Sequence, residues 1–384
     1  AAAVVGSPCP LILITRLLSS WGGATVPIVS ETTTGSSVES WARHRLANPL
    51  LAEPARRALQ GLVEVLETER SLAIDVFLSV VIRTQAKRWE QLQDALLCLA
   101  AQTDNNFEVL LMLHEVDAAR AEQVHNLVRS YPASFAKRVR LFGVSGGSRT
   151  RPLSESVQHA RGSYLAFFDD DDLLMGNWVE AFRVEAERAP GQLVRVNVAV
   201  QLNELETWTD GSSGQRTVGV ASAEYARTFN FADNIERNHT PFMGFAFPRS
   251  FFGFWGEEFD EDLPVCEDWD VVMRAALLLG VASSEQLTAI YRQWEGAQTS
   301  YTSHDELEWR EAEAVVLRKI NEAPFFAPAN GADHVLEMAG RFRANELAIM
   351  EERHKLLNSV SWRMLGPVRF VLRGVRKVIP RRGA

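Results

Sequence analysis

The sequence predicts an α/β protein, a mostly parallel sheet flanked by helices, followed by a helical C-terminal region. Three observations predict it. From Asp75 onward, short apolar runs rich in β-branched residues alternate with stretches of helical period. Strands that alternate with helices imply parallel pairing through crossovers. The apolar runs are continuous, as expected of strands covered on both faces. The 384 residues are 46% hydrophobic and 23% charged, an ordinary globular composition. At roughly 150 residues per domain the length accommodates two or three units.

Residues 1–37 mix Ala, Gly, Ser, Thr and Pro around one short apolar piece and are expected to be poorly ordered. Leu59, Leu62, Val63 and Leu66 recur at helical spacing, so residues 38–70 read as helix, limited by Pro49 and Pro54. Residues 76–82 are the first buried strand. Residues 88–102 form a helix with Leu92, Ala95, Leu96 and Leu99 on one face. Strand 107–113, helix 118–130, strand 139–144, helix 153–160 and strand 163–168 follow. Residues 335–357 have a charged helical pattern. These readings divide the chain into an extension (1–74), a central α/β domain (75–304) and a helical region ending in a basic tail (305–384).

No run of about 18 apolar residues exists, so no membrane-spanning helix is expected. No basic segment precedes the first apolar piece, so no signal peptide is expected. Cys9, Cys98 and Cys266 lack metal-site or CxxC spacing, which fits a reducing cytoplasm. The net charge of −9 hides an asymmetry. Glu352 is the last acidic residue, and nine basic residues follow it. An acidic body disfavours nucleic acid as a partner.

In open α/β sheets ligands sit beyond the carboxyl ends of the strands. There the fourth apolar strand runs straight into Asp169, Asp170, Asp171 and Asp172. Four adjacent like charges repel, and a cation relieves them. Mg²⁺ or Mn²⁺ takes oxygen ligands and keeps positions for phosphate oxygens. Alternation places Asp169 and Asp171 on one side. The alternative is a solvated turn with Asp172 capping a helix over 173–187. A second acidic element, residues 264–273, carries Glu267 and Asp268 where an apolar helix begins. They either cap that helix or supply a general base.

These pieces, in this order, resemble a family 2 glycosyltransferase of the GT-A fold over roughly residues 75–300. SVVIRT (79–84) resembles the opening strand and the start of the nucleotide-binding loop. AAQT (100–103) resembles the end of the first helix, and residues 151–164 resemble the lead-in to the metal motif. FDDDD (168–172) resembles the DxD motif, and EDWD (267–270) resembles the element that supplies the base in inverting members. The resemblance implies a metal-dependent, inverting transfer from a nucleotide-sugar donor. It assigns donor contacts to Arg83, Thr84, Arg151, Asp169 and Asp170, and metal ligation to Asp171 with Asp169. Asp268 becomes the base, with Glu267 beside it.

The sequence departs from the pattern in places. The base-reading position is divided among His114, Glu115 and Asp117. Ser154 stands where the family often has Asn. Trp294 stands where a metal-binding His is common, and His304 is a substitute ligand. Aromatic-rich residues 238–247 and 251–256 are expected near the acceptor, with His239, Trp255 and Trp269 as contacts and core packing as the alternative for most of the Phe residues. The SxSWRxxxP stretch (359–367) resembles tails of bacterial surface-polysaccharide glycosyltransferases. Residues 358–384 interleave apolar and basic side chains suited to anionic lipid headgroups. The acceptor is therefore expected to be a glycan or lipid-linked glycan at the inner membrane face. A scaffold keeping the fold without turnover is the second reading. A nucleotidyltransferase ranks last, because residues 83–88 lack the glycines of a nucleotide-gripping loop.

Overall fold

The computed structural model describes residues 37–71, 75–211, 213–295, 304–322 and 331–358. It divides into two compact units, the first ending at Gly331 and the second beginning at Ala332. The first unit contains, in order, α1 (Ser37–Leu46), α2 (Glu53–Ser71), β1 (Leu78–Thr84), α3 (Trp89–Ala100), β2 (Phe107–His114), α4 (Ala118–Ser130) and α5 (Ala133–Ala136). Next come β3 (Val139–Val144), α6 (Arg151–His159), β4 (Tyr164–Phe167), β5 (Leu173–Leu174), α7 (Trp178–Arg188), β6 (Leu193–Thr207) and β7 (Ser213–Ser222). The rest is α8 (Phe231–Glu236), β8 (Phe245–Pro248), α9 (Arg249–Gly253), α10 (Glu267–Leu279), β9 (Val281–Glu295) and α11 (Glu306–Glu322).

The sheet order is β3-β2-β1-β4-β8-β6-β9-β5, with β7 hairpinned onto β6. β3, β2, β1 and β4 are mutually parallel, as are β6 and β9. β8 runs antiparallel between β4 and β6. β1 and β2 are almost wholly buried, which explains their unbroken apolar runs. One polar cluster pins the entry to β4. Ser79 Oγ donates to Glu108 Oε1 at 2.8 Å, and the amides of Arg161 and Gly162 donate to Glu108 Oε1 and Ser79 Oγ at 2.7 and 2.8 Å. Gly162 is required there, because a Cβ would stand 2.5 Å from Ser79 N and 2.7 Å from Tyr164 O.

Two hydrophobic cores fill the faces of the sheet. One is aromatic: Phe167 stacks on Phe242 at 4.7 Å and meets Phe247, Phe252 and Phe259 edge-on. The same core takes in Leu59, Leu62, Val63 and Leu66 of α2, and Ala312, Val316 and Ile320 of α11. The helices on either side of the predicted central domain therefore share its core. Burying each such aliphatic side chain contributes about 1.5–3 kcal/mol.

One expected element is corrected. A helix over 173–187 capped by Asp172 does not form. Leu173 and Leu174 instead pair with Ile290 and Ala289 of β9, and α7 starts only at Trp178. Asp172 accepts from the backbone N of Arg292 at 2.8 Å. A two-residue apolar pair gains more from a vacant sheet edge than from opening a helix. The second unit carries α12 (Gly331–Asn358), whose Leu336, Phe342, Leu347, Ile349 and Met350 are exposed. The expectations for residues 1–36 and for the basic tail from 359 onward lie outside the described residues. No helix among the described residues is long and apolar enough to cross a membrane.

Candidate active site

The parallel strands deliver their carboxyl ends to one edge. Thr84 of β1 lies in register with Leu113 of β2, and Val81 with Phe167 of β4. The aspartate turn leaves β4 at that edge. In that turn Asp170 and Asp172 are buried, while Asp169 and Asp171 reach solvent.

Each carboxylate has its own partners. Asp169 is held by Arg83, with Nε to Oδ1 at 2.9 Å. Asp170 accepts from the Thr84 hydroxyl and pairs with Arg88 Nη2 at 3.1 Å. Asp171 pairs with Arg88 Nη1. Asp172 caps the backbone N of Arg292, whose Nε donates to the Asp171 carbonyl. Burial drives the acidities apart. It pushes the Asp169 carboxyl up, but Arg83 and Arg149 outweigh it and hold Asp169 below the usual carboxylate range. Burial pushes Asp170 up to about 6 against Arg88 and Thr84. Asp171 and Asp172 are also raised by burial, Asp172 further by the charge of Asp171.

The second acidic element opens α10. Cys266, in the left-handed region at φ 65°, turns the chain so that Glu267 and Asp268 occupy the first turn. Glu267 is buried and takes two guanidiniums, Arg83 Nη1 at 2.9 Å and Arg149 Nε at 3.1 Å. Arg83 thus joins the aspartate turn to the acidic pair. Asp268 has neutral donors: Asn238 Nδ2 at 2.9 Å and the Trp269 amide at 2.8 Å. Burial, and then the charge of Glu267, push Asp268 up to about 6. A carboxylate with that acidity and no cation bonded to it is suited to accept a proton near neutral pH.

Several expected contacts fall elsewhere. Trp255 is 1% exposed in the aromatic core, so it offers no face to an acceptor. Trp269 is equally buried, its indole N–H donating to Asn234 O at 2.6 Å. Arg151 lies at the start of α6, paired with Glu155 at 2.7 Å, while Arg149, two residues earlier, reaches the acids. Asp117 caps α4 through the amide of Arg120, and Glu115 accepts from the Gly146 amide. His304 pairs with Glu308 at 3.2 Å, a helix-start contact. His239 accepts from Arg237 Nε at 3.1 Å, next to the Asn238 that bonds Asp268.

Arg88, Arg149, Arg292 and Asn238 belong to the site and were not singled out from sequence. Arg292 had a signal, lying two residues from the Trp294 that replaces a family His. Among the described residues no three His, Cys, Asp or Glu side chains converge as a ready-made metal cage.

No curated protein sequence matches the chain. Among solved structures, that of S. aureus TarS 1-349 in complex with UDP-GlcNAc aligns at a TM-score of 0.50. It has 15% identity, and the match covers 67% of this chain and 69% of that one. The same protein in complex with UDP aligns at 0.48, with 15% identity and coverage of 67% and 68%. The first likeness shows the GT-A fold. Residues 79–252, from β1 through the aspartate turn to α9, match the model described as glycosyl transferase family 2, so this part of the chain is similar to that family.

Proposed function

We propose that the chain is a metal-dependent, inverting glycosyltransferase that moves a sugar from a nucleotide-sugar, with uridine as the favoured base, to a glycan or lipid-linked glycan. The observation that carries this reading is the Arg83 bridge. It ties the turn that faces the donor to the pair that holds Asp268, so a donor-side group and a base lie at one edge of the sheet. The uridine preference rests on the UDP-GlcNAc in the structure that aligns at 0.50.

The residues fit a divalent cation on grounds of charge. Asp169–Asp172, Glu267 and Asp268 are six carboxyl groups, and Arg83, Arg88, Arg149 and Arg292 are the four guanidiniums against them. A diphosphate brought to that edge adds negative charge, and a cation offsets it. Asp171 and Asp169 would hold Mn²⁺ or Mg²⁺, with donor oxygens completing the shell. The cation would supply Lewis-acid stabilisation to the departing diphosphate.

This chain's residues do the rest. Asp268 Oδ2 takes the proton of the acceptor hydroxyl as that oxygen bonds the anomeric carbon and the nucleoside diphosphate leaves from the opposite side. One displacement inverts the anomeric centre. Asn238 aims the Asp268 carboxylate and Arg83 fixes the spacing of the two acidic elements, which is positioning catalysis. The basic tail beyond residue 358 would bring the enzyme to anionic lipid, each cation adding about 1 kcal/mol.

Calorimetric titration with UDP, GDP and dTDP, with and without Mn²⁺, tests the reading. UDP should bind only with Mn²⁺. Asp171→Asn should weaken that binding about tenfold or more. Asp268→Asn should keep it and lose transfer. Metal-free binding of equal strength would remove the cation from the reading, and wild-type transfer by Asp268→Asn would remove the base.

A further inference from the structure

A second cleft lies beside the aspartate turn. It has a volume of about 460 Å³ and is lined by Glu90, Gln93 and Asp94 of α3 and by Trp208, Gly214 and Gln215 of the β6–β7 hairpin. Trp208 is 55% exposed. A Cβ on Gly214 would stand 2.3 Å from its Cζ2, so glycine is what lets the indole sit there. Polar groups surround the ring. Gln215 Nε2 donates to Glu90 at 3.5 Å. Gln215 Oε1 and Asp94 Oδ2 both accept from Arg292 Nη1, at 3.2 and 3.1 Å.

Arg292 connects this cleft to the active site. Its backbone N and Nε bond Asp172 and Asp171, so a single guanidinium separates the two places. It is 5% exposed, yet its Nη2 has no hydrogen-bond partner. Arg292 does not line the cleft itself; it holds Gln215 and Asp94, which do, in place.

We propose that this cleft binds an uncharged sugar residue of the acceptor glycan. The chemistry selects that class. An exposed indole face takes the apolar C–H patch of a pyranose. Gln93 and Gln215 offer amide donors and acceptors at fixed angles, and the carboxylates accept from hydroxyls. Glu90 and Asp94 repel uronic, sulfated or phosphorylated sugars and give the cleft its selectivity. The proposal rests on the glycosyltransferase reading, since it makes the bound sugar part of the acceptor.

The test uses the full chain on an array of defined neutral, uronic-acid-containing and sulfated oligosaccharides, with UDP binding by the wild type measured in parallel. A neutral oligosaccharide should bind. Trp208→Ala and Gly214→Ala, checked for unchanged melting temperature, should each lose about tenfold or more of that affinity. Gly214→Ala keeps the indole but displaces it, so it separates ring placement from ring presence. Preference for anionic sugars, or a neutral sugar bound equally by both variants, overturns the proposal. Wild type that binds UDP but no glycan overturns the cleft alone. Wild type that binds neither overturns the transferase reading, and the cleft proposal with it.

Discussion

Arg83→Met removes the guanidinium that spans the two acidic elements. Arg83 donates to Asp169 and Glu267 at 2.9 Å each and to the Arg149 carbonyl at 3.3 Å. Burial lowers its pKa, but the two carboxylates outweigh burial and raise it, so it is a permanent cation. Breaking a buried pair by deleting one partner costs about 3–5 kcal/mol. The lower end applies here. Glu267 keeps Arg149 at 3.1 Å, and 37% of the Asp169 side chain is open to water. A loss of about 3 kcal/mol in a unit of this size lowers the melting temperature by about 4–5 °C. Thermal melts of Arg83→Met, Glu267→Gln and the double variant read this directly. The double variant should lose less than the sum of the two, because each single change strands the other's charge. Melting within about 1 °C of wild type, or strict additivity, would refute the idea that Arg83 couples the two elements.

Two further outcomes follow. With Asp268 as base, transfer requires its ionised form, and its pKa is raised to about 6 by burial and Glu267 against Arg149 and Arg83. The rate constant kcat/KM should therefore be level above pH 6 and fall about tenfold per unit below it; Arg149→Ala, which removes an opposing cation, should move that limb to higher pH, and a profile flat down to pH 4.5 would contradict the assignment. Gly162→Ala sets a Cβ against three backbone atoms of the β1–β4 junction and should cost about 3 kcal/mol, read by chemical denaturation; a loss under about 0.5 kcal/mol would mean the junction relaxes freely.

The parts of the fold that were legible in sequence are those where one physical signal dominates. Helix α4 and strand β3 fall at their expected bounds because each carries a clean period and stops at a polar break. The turn after β4 was legible because four carboxylates cannot be buried without partners. The partners themselves were not legible. Arg83 with Arg88, Arg149 and Arg292 come from three separate segments, and only the folded sheet brings them together. Arg149, two residues before the Arg151 expected at the donor, is the one that pairs with Glu267, because the start of α6 decides which of them faces that acid. Trp255 failed for a different reason. Five Phe rings pack around Phe167 and its neighbours, and the Trp joins that core. An aromatic-rich stretch looks the same in sequence whether it binds a sugar or fills an interior.

The structure also separates two adjacent carboxylates that the sequence leaves equivalent. Glu267 and Asp268 share a helix turn and a local charge environment. Their partners differ. Glu267 Oε1 takes two guanidiniums, whose charge opposes a proton on that carboxylate. Asp268 bonds an amide side chain and a backbone N–H. Neutral donors orient a carboxylate without competing for its proton to the same degree. Glu267 in turn raises the basicity of Asp268 by its charge. The pair therefore works as one device. Arg83 and Arg149 anchor the first carboxylate, and the anchored charge prepares the second. A single acid in this turn would be either anchored or basic, and the proposed reaction uses both.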